Sequence, residues 1–94
     1  MENAPFGITK TATRELHRLI MKHKIIPPEG VRIDKENGSL ILGFDAPKPD
    51  DEKFYINRIT FYVNKELLPE LNNVIINFYN GLEKKGFYFE TKNR

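Results

Sequence analysis

Apolar residues recur first at helical spacing and then in alternation. Ala12, Leu16, Leu19, Ile20 and His23 share one face of a helix predicted over residues 11–24, with Thr11 as its N-cap. Glu15 lies near the positive end of that helix, and Lys22 and Lys24 near the negative end, as the helix dipole favours. Pro27-Pro28 and Gly30 stop it and turn the chain. If Asn37-Gly38 then forms a two-residue type I′ turn, Glu36 faces Ser39, Ile33 faces Leu42 and Val31 faces Phe44, so four apolar side chains share a face. Residues 45–53, DAPKPDDEK, read as a loop. A second hairpin about Asn57-Arg58 sets Ile56 opposite Ile59 and Phe54 opposite Phe61, although arginine lacks the ease of glycine at a positive φ. Asn64 caps a short helix over Lys65–Leu71, with Leu67, Leu68 and Leu71 facing inward and Pro69 disturbing its middle. Residues 74–79 are strand-like, Asn80-Gly81 a turn, and residues 86–90 a last strand.

A chain of 94 residues suits one domain over residues 1–94 with one core. With 39% hydrophobic and 30% charged residues it has the composition of a folded protein rather than a disordered one. There is no cysteine, which excludes disulfides, thiolate metal sites and redox switches built on this chain's own side chains. A net charge of +2 is too small to point to nucleic acid. The densest basic cluster, His17, Arg18, Lys22, His23 and Lys24, reads as a solvated helix face. No apolar stretch approaches the roughly 20 residues of a membrane span, and residues 1–6 do not read as a signal peptide. A cytoplasmic protein is expected.

Phe-Tyr occurs four times, at residues 54–55, 61–62, 78–79 and 87–88, each time in a predicted strand. Alternation sends phenylalanine to one face and tyrosine to the other. Tyr55, Tyr62, Tyr79 and Tyr88 are therefore the candidate partner-binding residues, tyrosine offering contact area with a polar tip. The same face carries a less favoured reading as a stacking platform for single-stranded nucleic acid. The alternative chemistry is metal binding by His17, His23, Asp45, Asp50 and Asp51. Six residues of helix separate the histidines by about 120° around the axis, unlike an i, i+4 pair. The acidic loop lacks the spacing and glycine turn of a calcium site. Ser39, the only serine, sits in a hairpin turn without a nucleophile elbow, and there is no phosphate-binding loop or dinucleotide fingerprint. Neither an enzyme nor a resident cofactor is expected.

Several pieces recur in one order: residues 8–11 leading into the helix, residues 30–33, Gly43-Phe44-Asp45, Asp50-Asp51, residues 67–71, Asn80-Gly81-Leu82, and Gly86-Phe87. Their series, from about Ile8 to Phe89, resembles the HesB-like family of A-type iron–sulfur carriers and assembly proteins. The resemblance implies a compact, mainly β fold of α+β character. Its mixed sheets would form a sandwich or barrel, with an N-terminal helix and a short helix near residues 65–71. It also implies a family that commonly forms dimers or larger assemblies. Members hold iron or a cluster through three cysteines, one in a Gly-Gly-Cys-Ser-Gly loop and two in a Cys-Gly-Cys tail. In this sequence Lys35-Glu36-Asn37-Gly38-Ser39 replaces the first loop, and the expectation at the other end is that Arg94 falls short of the tail. Clusters are held by thiolates, for which these oxygen donors are poor substitutes. The resulting expectation is an accessory or interaction factor related to cluster biogenesis, acting on a protein partner or a second copy without carrying a cluster.

Overall fold

The computed structural model describes residues 4–83 and 85–91; the readings made of the first three residues and of the end at Arg94 lie outside them. The elements run β1 (Phe6–Ile8), α1 (Lys10–Lys22), β2 (Gly30–Glu36), β3 (Ser39–Asp45), β4 (Asp51–Ile56), β5 (Ile59–Asn64), a 3₁₀ helix (Lys65–Leu71), β6 (Val74–Asn80) and β7 (Lys85–Thr91). They form two mixed sheets. One has strand order β3-β2-β5-β4, with β2 and β5 parallel; the other has order β1-β6-β7, with β1 and β6 parallel.

Both hairpins have the expected register. Glu36 pairs with Ser39, Ile33 with Leu42 and Val31 with Phe44; Ile56 pairs with Ile59 and Phe54 with Phe61. Asn37 and Gly38 take φ of 52° and 82°, as a I′ turn requires. Asn57 and Arg58 do the same at 51° and 67°, so Arg58 bears the steric penalty that glycine would avoid.

Phe6, Val31, Ile33, Phe61, Val63 and Ile76 are among the buried side chains of the core, with Ala12 and Leu16 of α1 and Leu67 and Leu71 of the 3₁₀ helix. Phe6 meets Phe54 and Phe61 edge-on at centroid distances of 5.6 and 5.4 Å. Asn64 caps the 3₁₀ helix by accepting from the Glu66 amide at 2.9 Å. Leu68 is only partly buried there.

Four boundaries differ from the sequence reading. The cap of α1 is Thr9, not Thr11: its hydroxyl oxygen accepts from the Ala12 amide at 3.1 Å. Thr9 also donates its amide to the Ile76 carbonyl and its hydroxyl to Asn77, so β6 fixes where the helix starts. The helix ends at Lys22, because Lys24 turns left-handed (φ 54°) and the Ile25 amide closes on the Ile20 carbonyl at 2.9 Å. The loop after β3 is shorter than residues 45–53: β3 keeps Asp45, and β4 begins at Asp51, paired with Asn64. Asn80 stays in β6 opposite Lys85, so the last connection is residues 81–84 rather than an Asn-Gly turn, with Lys84 outside the described residues.

Candidate interaction surface

Strand alternation places the tyrosines opposite the core phenylalanines, but the two sheets divide them. Tyr55 and Tyr62 belong to β4 and β5 of the four-stranded sheet; Tyr79 and Tyr88 belong to β6 and β7 of the other. One common face of four tyrosines does not form. Tyr62 is 5% exposed, and its hydroxyl donates to the Pro28 carbonyl at 2.7 Å. It holds the turn after α1 against β5. Tyr55, Tyr79 and Tyr88 are exposed, at 65%, 53% and 39%.

Tyr79 and Tyr88 lie on the same side of the β6–β7 pair, since Tyr79 pairs with Gly86 and Asn77 with Tyr88. With Lys85, Gly86 and Phe87 they line an open concavity of about 630 Å³. The Tyr79 ring folds back over Gly81, where any Cβ would come within 2.4 Å of the tyrosine hydroxyl. Gly81 is thus needed for the ring position rather than for a positive φ. Desolvation, with the Glu90 carboxylate beside it, pushes the Tyr88 phenol above its ordinary range. Leu82, fully exposed in the following connection, extends the apolar character of this end.

The metal candidates are dispersed. His17 donates its ring Nε2 proton to the Asn57 carbonyl at 2.9 Å, tying α1 to the β4–β5 turn. Asn57 reciprocates by donating its side-chain amide to the Thr13 hydroxyl at 3.2 Å. His23 caps the far end of α1, with its ring 6.5 Å from that of Phe44. Asp50 contributes its carbonyl to the Lys65 amide. Among the described residues no three His, Asp or Glu side chains come together as a metal site.

Asp51 and Asp45 serve a residue that pattern reading passed over, Arg32. It sits between core residues Val31 and Ile33 but points to the other face of β2, and is 6% exposed. Its guanidinium forms a two-pronged pair with Asp51, through Nη1 to Oδ1 at 3.1 Å and Nη2 to Oδ2. Nη2 also donates to the Ala46 carbonyl at 3.2 Å, and Asp45 lies 4.0 Å from Nε. The Lys48 amide donates to Asp51 Oδ2 at 2.6 Å. Hydrogen bonding from Arg32 outweighs desolvation and holds the Asp51 carboxyl below its ordinary range. This cluster pins the acidic loop over the sheet and leaves Asp51 no free oxygen for a cation. The signal was an arginine between Val31 and Ile33 in the buried first half of β2, which announces a buried charge without naming its partner.

Two mixed sheets with these crossovers, an N-terminal helix and a short helix after β5 make up the HesB-like fold expected from the resemblance. Among solved structures the chain is similar to Escherichia coli SufA, which is involved in biosynthesis of iron–sulfur clusters, with a TM-score of 0.74 at 20% identity over 97% of this chain and 96% of that one. It is also similar to IscA with its 2Fe-2S cluster, with a TM-score of 0.65 at 20% identity over 94% of this chain and 86% of that one. A protein from Aquifex aeolicus solved by solution NMR gives a TM-score of 0.74 at 16% identity over 97% and 95%. At these identities the likeness is one of fold. No protein-family model matches the sequence, and no curated protein matches it.

IscA holds a 2Fe-2S cluster, a group for which the donors on this chain are poorly suited. The β2–β3 connection is a closed two-residue turn, Asn37-Gly38, flanked by Glu36 and Ser39. Its side chains offer only amide, carboxylate and hydroxyl donors, and the sequence supplies no thiolate. No helix among the described residues is long and apolar enough to cross a membrane.

Proposed function

We propose that this chain is a non-catalytic interaction or accessory factor related to iron–sulfur cluster biogenesis, and that it does not itself carry a cluster. One observation carries the reading: the fold of SufA and IscA is kept, while the connection in which the family resemblance places a cysteine loop is a tight turn of oxygen and amide donors. The fold supports a link to that process. The donor chemistry argues against cargo binding. What remains is contact with a protein, either a second copy or a component of the assembly machinery.

The contact surface proposed is the tyrosine-bearing side of β6–β7, with Tyr79 and Tyr88 as its centre and Tyr55 as a separate contact on the other sheet. Tyr62 has a supporting role, since its ring is buried and its hydroxyl is occupied. Aromatic side chains with polar tips are enriched in such interfaces because they bury much area at little cost in lost rotamers. The test is a Tyr79→Ser/Tyr88→Ser variant compared with the parent by sedimentation, alone and with cluster-assembly proteins. Weakened self-association or partner binding in a folded variant is the expected result. Unchanged association would remove the surface from the proposal.

A further inference from the structure

Helix α1 carries a row of cations on the side away from the core. Lys10, Arg14, Arg18 and Lys22 follow one another at intervals of four residues, and all four are exposed. At about 1.5 Å per residue the row is roughly 18 Å long, with one positive charge about every 6 Å. Ala12 and Leu16, the buried residues of the helix, project from its opposite side. Arg18 is the one member paired to an acid, Glu15 at 2.6 Å; Lys10, Arg14 and Lys22 have no ion-pair partner among the described residues.

Like charges four apart weaken a helix, so this row opposes the stability of the element that bears it. The helix is held regardless, by Thr9 at its start and by the reciprocal His17–Asn57 and Asn57–Thr13 bonds. The charge is also concentrated there. Residues 10–24 carry five Lys or Arg against one Glu, a net +4 in a chain whose total is +2, so the remainder is net negative. Met21, 78% exposed, lies on the same side of the helix as the row, and Ile26, 67% exposed, follows four residues after Lys22.

We infer that this face of α1 docks an acidic protein segment, a helix bearing a carboxylate on each turn with apolar residues between. Carboxylates at i, i+4 repeat at the same spacing as the cations, and the apolar residues of such a helix cover Met21 and Ile26. A nucleic-acid backbone matches the charge but has no use for those two side chains, and no exposed aromatic lies in α1 to stack a base. A membrane surface would attract the cations, but the apolar face of α1 is already in the core and cannot enter lipid. This surface is separate from the tyrosines of β6–β7 and stands whether or not they bind a partner.

The probe is a labelled 18-residue helical peptide with glutamate at every fourth position and leucines between, titrated by fluorescence anisotropy. Binding is expected, weakened at least about tenfold in Arg14→Glu/Lys22→Glu, since each exposed pair contributes modestly and reversal adds repulsion. Lys48→Glu/Lys65→Glu changes net charge equally elsewhere and should keep most of the affinity. If the reversal variant is unfolded by circular dichroism, Arg14→Gln/Lys22→Gln replaces it, with about fivefold weakening expected. The inference is overturned by absence of peptide binding, by equal loss in the Lys48/Lys65 variant, or by tighter binding of a 20-nucleotide single strand or phosphatidylserine vesicles than of the peptide.

Discussion

Replacing Asp51 by alanine removes the partner of a buried guanidinium and leaves the guanidinium in place. The Asp51 and Arg32 side chains are 2% and 7% exposed, and two of the three Arg32 nitrogens bond Asp51. Breaking a buried pair by deleting one member typically costs about 3–5 kcal/mol. The Ala46 carbonyl at 3.2 Å and the half-exposed Asp45 carboxylate 4.0 Å away soften the loss, so the lower end, about 3 kcal/mol, is expected. A chain of this size has roughly 5–14 kcal/mol in total, and Tm should fall by roughly 12–24 °C. Urea unfolding followed by circular dichroism measures it.

The pH dependence is a second signature. Arg32 holds the folded Asp51 carboxyl below its unfolded value, so the pair contributes fully above the ordinary aspartate range and is lost as pH falls through the folded value. The gap between parent and Asp51→Ala should be full at about pH 6 and narrow in acid. An Arg32→Met/Asp51→Leu variant, which removes both charges, should recover most of the loss. A loss below about 1 kcal/mol at neutral pH, or a gap that does not close in acid, would refute the view that this pair is buried and anchors the loop.

Two further measurements bear on the turns and caps. Thr9→Ala should destabilise by about 1–2 kcal/mol in the same urea assay, whereas Thr11→Ala should change stability by less than about 0.5 kcal/mol. Equal effects would return the cap to Thr11. Arg58→Gly should stabilise by about 1 kcal/mol by relieving φ of 67°, and a loss of stability would show that the arginine side chain contributes more than its backbone strain.

The hairpins were legible because two independent signals agree there, turn residues and the alternation of apolar positions. The cap of the 3₁₀ helix was legible for a similar reason, an asparagine three residues ahead of Leu67, the first inward-facing leucine. Thr9 and Thr11 offer the same hydroxyl two positions apart, and only the bonds to Ile76 and Asn77, distant in sequence, decide between them. The tyrosines failed differently. Alternation fixes which side of its own strand a residue takes, but not which sheet the strand joins. That depends on the parallel pairings β1–β6 and β2–β5, which leave no local trace. Arg32 and Asp51 are 19 residues apart, so the acids read as a solvated loop although one of them is bound tightly to the sheet. The cation row on α1 was half visible, because Lys10 joins it only once the helix is known to start there.

The most direct test of the non-carrier reading is the iron and sulfide content of the purified protein, before and after anaerobic incubation with ferrous iron and sulfide, with the visible spectrum recorded alongside. Protein that remains colourless and free of stoichiometric iron and sulfide is the expected result. A stoichiometric cluster held without a single thiolate of its own would contradict it.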